Sequence, residues 1–143
     1  MKEHTSSALA LQELFKNPPL NQAKLIAGLG GISNTIARFG ILEAPDSVDF
    51  VKPNEFLIST GYIFKDANNS QLEIIQKLKE VGASGLGVKF SRYIRKLDDS
   101  VIKYANENNF PIFELPADST WYEICAVLIP SFPTSANNTD LPT

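Results

Sequence analysis

Three apolar runs in this 143-residue chain end abruptly in side chains that can do chemistry. NEFLISTGY (54–62) closes on Ser59, Thr60 and Gly61; VGASGLGVKFSRY (81–93) closes on Lys89, Arg92 and Tyr93; and NNFPIFELP (108–116) reaches Glu114. Lys89 and Arg92 are suited to clamping an anion, the Arg fork bidentately on a carboxylate. Thr60 and exposed backbone N–H groups would orient polar atoms, and Tyr93 offers a face on which a planar ring can stack. The competing reading is that Lys89 and Arg92 pair locally with Glu114, Glu43 or Asp46, as charges at strand ends commonly do. If the clamp holds, an acidic or carbonyl-rich ligand is favoured over a polyamine.

Other residues carry weaker signals. Glu43 and Asp46 bracket Pro45 and could present two carboxylates to a metal or a basic group, but two carboxylates without a third ligand fall short of a metal signature. Capping of a short turn by Asp46-Ser47 is the stronger reading. Gly28-Leu29-Gly30-Gly31 is no phosphate loop: no Gly-Lys-Ser/Thr follows, and Ser33 stands where the dinucleotide fingerprint needs its third glycine. A tight turn explains it. One histidine, His4, and one cysteine, Cys125, cannot assemble a catalytic triad. The reading is therefore non-catalytic, with no cofactor and no metal.

Composition bounds the rest. With 43% hydrophobic and 20% charged residues the chain is ordinary globular material, one domain with one buried core. A net charge of −3 argues against nucleic acid as a partner of this segment, because phosphate binding needs clustered Lys and Arg. A lone cysteine, no apolar run approaching the roughly 20 residues of a membrane span, and no secretory h-region make a cytoplasmic location the expectation.

These side chains are positioned by elements with readable signals. Ser7 is a candidate N-cap for a first helix with stripe Ala8, Leu11, Leu14 and Phe15, stopped at Asn17-Pro18-Pro19. AKLIAG (23–28) and TIARFGIL (35–42) read as strands that either pair as a hairpin or lie apart. A helical turn over 47–51 precedes a strand over 55–59. Ser70 and Glu73 form a capping box for a helix that turns Leu72, Ile75 and Leu78 inward and stops at Gly82. A strand over 84–89, a helix over 99–108 with Leu97, Val101, Tyr104 and Ala105 on one face, and a strand over 112–115 follow. A last helix over 121–128 bears Trp121, Ile124, Cys125 and Leu128, ahead of Pro130.

Strand, helix, strand, helix, strand over 55–115 makes two βαβ units, whose parallel strands must end on one edge, where ligands bind in open α/β sheets. The expected fold is a single α/β domain with a mostly parallel β-sheet built from βαβ units and flanking helices, spanning 1–129. The polar remainder, 130–143, reads as a linker or disordered tail.

Together LEAPD (42–46), NEFLISTG (54–61), VGASGLGVKFSRY (81–93) and NNFPIFELP (108–116) occur in the order and spacing of a known family. The chain resembles the PucR-type amino-terminal domain of purine-catabolism-regulator-like bacterial transcription factors, over about residues 6–128. The resemblance implies an α/β sensing domain that, in full-length relatives, precedes a middle module and a carboxy-terminal helix-turn-helix. Neither module follows in this sequence, and Pro130 departs from the longer terminal helix the resemblance implies. The expected function is regulatory, sensing a small nitrogen-containing metabolite, with DNA contacted only through a separate module. Two alternatives remain open: a protein–protein or homodimer module without ligand, built on the last helix and a sheet edge, and a small enzyme using Glu43, Asp46 or Glu114.

Overall fold

The computed structural model describes residues 9–65, 70–90 and 94–131. In chain order its strands are β1 (Leu9–Ala10), β2 (Lys24–Ala27), β3 (Thr35–Ile36), β4 (Arg38–Ile41), β5 (Glu55–Ser59), β6 (Gly85–Val88) and β7 (Ile112–Glu114). Its α-helices are α1 (Leu11–Leu14), α2 (Gln71–Glu80), α3 (Asp99–Glu107) and α4 (Trp121–Ser131).

β5 and β6 are buried at every position, as strands covered on both faces must be, and they occupy the middle of a five-stranded sheet ordered β2-β7-β6-β5-β4. β4, β5, β6 and β7 run parallel, whereas β2 is antiparallel to β7. The sheet alternates its side chains between two cores. Leu57, Leu86, Val88 and Ile112 face α2 and α3, which contribute Ile75, Leu78, Val101 and Ala105. Phe39, Phe56, Ile58 and Phe113 face α1 and α4, which contribute Leu11, Leu14, Ile124 and Leu128. The result is a three-layer α/β/α domain.

α2 begins as expected, with the Glu73 N–H donating to Ser70 Oγ at 3.3 Å, and ends at Gly82, whose φ of +90° glycine alone adopts without strain. α4 opens on a cap that is reciprocal: the Glu123 N–H donates to Thr120 Oγ1 at 3.0 Å and the Thr120 N–H to Glu123 Oε1 at 2.8 Å.

Several expectations change. Leu9 and Ala10 are extended rather than helical because they pair with Ile36 and Thr35. α1 is consequently a single turn whose first donors go elsewhere, Leu11 N–H to Asn34 O and Gln12 N–H to Ile32 O, each at 2.8 Å. Ser7 and Ala8 lie outside the described residues. Of the two arrangements left open for AKLIAG and TIARFGIL, lying apart is the one found: β2 and β4 are opposite ends of the sheet order. Asp46 is not a cap. The 3-10 helix Pro45–Phe50 is capped at Ala44 without a side-chain bond, and Asp46 sits exposed in its first turn. α4 runs past Leu128 and includes Pro130 in its last turn, where the Ser131 hydroxyl donates to the Val127 carbonyl at 2.9 Å.

Candidate ligand site at the carboxyl ends of the strands

Because β4 to β7 are parallel, their carboxyl ends meet on one edge. Register fixes the neighbours: Ser59 lies beside Val88 and Val88 beside Glu114, while the Lys89 N–H donates to Ser59 O at 2.9 Å and the Leu115 N–H to Val88 O at 2.8 Å. The backbone positions expected to converge therefore do so for Ser59, Thr60, Gly61, Lys89 and Glu114. Arg92 and Tyr93 lie outside the described residues.

Side-chain alternation divides this set. Ser59 and Glu114 continue the Leu57 and Ile112 rows toward α2 and α3, while Lys89, one residue beyond Val88, points to the opposite face. There its ammonium donates to the Ser119 carbonyl and stands 5.9 Å from the Trp121 ring centroid. Lys89 thus pairs with neither Glu43 nor Glu114 among the described residues. Glu114 instead lies across from Lys24 on β2. The carboxylate pairing of Lys89 with Glu43 or Glu114 is therefore not formed, and one of its three N–H donors is engaged by Ser119.

The polar cluster on this edge is built around Glu43, which follows β4. The Thr60 N–H donates to Glu43 Oε2 at 2.9 Å, the Thr60 hydroxyl donates to Oε1 at 2.9 Å, and the Ser59 hydroxyl approaches Oε1 at 3.4 Å. Ser59 in turn accepts the Gly61 N–H at 2.9 Å. The turn needs a glycine at 61, where φ is +90° and a Cβ would fall 2.3 Å from Ile94 Cγ2. A carboxylate has about four lone-pair positions. Three donors hold this one in place, and the half-buried Glu43 can still accept from a ligand N–H. Asp46 takes no part. Chemically the described part of the edge presents an oriented carboxylate able to accept from an N–H donor.

The described surface holds three clefts, of which the second is lined by Ser119, the Lys89 partner, and so adjoins this edge. One of about 420 Å³ runs beside β4, one of about 700 Å³ lies between Pro18-Pro19 and the start of α4, and one of about 230 Å³ sits near Asn34, Asn54 and Ser84 at the amino ends of the strands. Cys125 packs against the α1/α4 core, and burial pushes its thiol up from the ordinary value, so it stays protonated at neutral pH. Trp121 is half-buried against the same core, while Tyr122 is 80% exposed.

Residues 13–129 match the Purine catabolism regulatory protein-like family, PucR. The chain belongs to that family. Over 104 residues, 73% of its length, the domain is 36% identical to the purine catabolism regulatory protein of Bacillus subtilis (strain 168). It spans only 20% of that protein. Among solved structures this PucR-family domain is similar to the CBS and DRTGG domains of the regulatory region of Clostridium perfringens pyrophosphatase, crystallised with the activator diadenosine tetraphosphate. The TM-score is 0.56 at 16% identity, covering 93% of this chain and 51% of the other, which establishes a shared fold. No described helix is long and apolar enough to cross a membrane.

Proposed function

We propose that this chain is the non-catalytic regulatory domain of a PucR-type transcriptional regulator and that it senses a small nitrogen-containing metabolite at the carboxyl edge of its sheet. The observation that carries the reading is the Glu43 carboxylate, fixed by Thr60 and Ser59 at the strand ends of a parallel sheet. An N–H-bearing metabolite supplies the donor that this carboxylate can still accept, and Gly61 brings backbone close to the ligand. Arg92 and Tyr93, which follow Lys89 in sequence, and Glu114 complete the proposed set; Lys89 supports the edge through Ser119 and Trp121. DNA is contacted by a separate helix-turn-helix module, and the setting is cytoplasmic.

A thermal-shift screen of purine-degradation products, amino acids and polyamines tests this reading. A ligand that binds only the folded state at 100 times its Kd adds about 2.7 kcal/mol of stability. One chemical class rich in N–H donors should raise the melting temperature. Arg92→Ala should weaken that ligand by about 1.5–3 kcal/mol, the scale of a charge-assisted hydrogen bond. No shift with any class would refute sensing of this kind.

A further inference from the structure

Ser119, in the turn between β7 and α4, is only 7% exposed, yet its hydroxyl has no hydrogen-bond partner among the described residues. Its backbone is engaged: the N–H donates to the Pro116 carbonyl at 3.3 Å, and the carbonyl accepts the Lys89 ammonium. The side chain lines the cleft of about 700 Å³ between Pro18-Pro19 and the start of α4. A polar group so buried is ordinarily paired, and one that opens unpaired onto a cleft marks a place for a partner from outside the chain. The other groups of the cleft set that partner's charge. Asp118 and Glu123 line it, and no lysine or arginine does. Glu123 Oε1 accepts the Thr120 N–H, which leaves the second oxygen open, and Asp118 accepts no hydrogen bond from a described residue. The amino end of α4 would draw an anion, but Glu123 in its first turn already supplies negative charge there.

We propose that this cleft is a second binding site, for an aliphatic organic cation of the amine or guanidine class. Its N–H groups donate to the Ser119 hydroxyl and to the Asp118 and Glu123 carboxylates. Its alkyl stem lies between the Tyr122 ring, 80% exposed on the α4 wall, and the two prolines on the other. An aromatic face attracts a cation, and pyrrolidine rings give a methylene chain apolar surface to lie along. Asn21 and Gln22, beside the prolines, add side-chain carbonyls as further acceptors. The volume falls within the roughly 300–1,000 Å³ of small-molecule sites. Every polar feature of the cleft thus accepts hydrogen bonds or favours positive charge, which an amine satisfies and a carboxylate ligand does not. Ser119 joins this cleft to the carboxyl edge, since its hydroxyl faces the one and its carbonyl holds Lys89 of the other. The cation site is otherwise separate from Glu43 and stands whether or not a metabolite binds there.

The test is a titration of the full chain with agmatine, a guanidinium and an ammonium joined by an alkyl stem, read by calorimetry and by ¹⁵N–¹H spectra. The variants are Ser119→Ala, the double change Asp118→Asn with Glu123→Gln, and Glu80→Gln. Glutamine at 123 keeps an acceptor for the Thr120 cap while removing the charge. The wild type should bind agmatine, with saturable shifts at the amides of Asn21, Ser119 and Tyr122. Ser119→Ala and the double variant should each raise the Kd by about 10-fold or more, each tenfold being ~1.4 kcal/mol. Glu80→Gln, an equivalent loss of charge at an exposed residue that ends α2, should leave it unchanged. Circular dichroism confirms folding, and the double variant, at exposed positions, carries the conclusion if Ser119→Ala does not fold. Absence of binding up to millimolar agmatine, or a Kd indifferent to the cleft substitutions that fold, overturns the proposal. So does binding of glutarate, a dianion on a similar stem, as tightly as agmatine. Shifts at Thr60 and Gly61 in place of Ser119 and Tyr122 overturn it too, and assign the amine to the Glu43 edge instead.

Discussion

Gly28→Ala is expected to lower the melting temperature by about 5–20 °C, from a loss of about 2–5 kcal/mol, at about 2–4 °C per kcal/mol for a domain near this size. Two costs combine there. Gly28 has φ of +83°, a left-handed conformation that costs a side-chain-bearing residue about 1–2 kcal/mol. A Cβ would also fall 2.1 Å from the Phe110 carbonyl oxygen and 2.6 Å from Pro111 Cα, backbone atoms that cannot swing aside, and overpacking of that kind costs about 1–3 kcal/mol. The Gly28 N–H donates to Asn106 Oδ1 at 2.8 Å, so any shift that relieves the clash also strains this bond to α3. Against a total stability of about 5–15 kcal/mol the loss is large. Thermal denaturation followed by circular dichroism measures it; a melting temperature within a degree or two of wild type would contradict the packing of this turn. Gly28-Leu29-Gly30-Gly31 is thus a structural turn, as its failure to match a phosphate loop indicates.

How much was legible before the fold depended on whether the deciding interaction was local. β5 and α2 were readable almost to the residue, since a continuous apolar run marks a doubly covered strand and Ser70, Glu73 and Gly82 punctuate the helix. The reciprocal Thr120–Glu123 cap carries the same S/T-x-x-E signal, legible in the sequence at the start of α4. Leu9 and Ala10 were misread because their pairing with Thr35 and Ile36 is remote, and remote pairing also decides that β2 and β4 sit at opposite ends. At the candidate site, parallel order brought the strand ends together as expected, but the two-residue alternation separates Lys89 from Ser59 and Glu114. That alternation was available in the sequence. The cleft beside β4 was not, because Ile129 on α4 comes from a segment remote from Ile41 and Phe50. Glu43, a secondary candidate on sequence grounds, becomes the centre of the edge because Thr60 turns both its N–H and its hydroxyl onto it.

Glu43→Ala carries the other large expected effect. It removes the acceptor for the Thr60 N–H and hydroxyl and the Ser59 hydroxyl, and leaving part-buried donors unsatisfied costs about 1–3 kcal/mol. The larger effect is on binding: with the carboxylate gone, the metabolite that stabilises the wild type should give no thermal shift with Glu43→Ala at a concentration of about 100 Kd, where the wild type gains about 2.7 kcal/mol. Asp46→Ala is the matched control, since Asp46 is exposed and outside the cluster, and should leave both stability and response unchanged. Equal responses in Glu43→Ala and wild type would remove Glu43 from the site. Loss of response in Asp46→Ala as well would move the site toward the 3-10 helix Pro45–Phe50.

The most direct measurement of where the domain senses its metabolite is a ¹⁵N–¹H correlation spectrum recorded through a titration with the compound that raises the melting temperature. The account predicts saturable shifts at the amides of Glu43, Thr60 and Gly61 and at Lys89 across the edge, with β4 and the cleft walls at Phe50 and Ile129 unmoved. Shifts confined to that cleft or to the amino ends of the strands, with Thr60 and Gly61 unchanged at saturation, would contradict it.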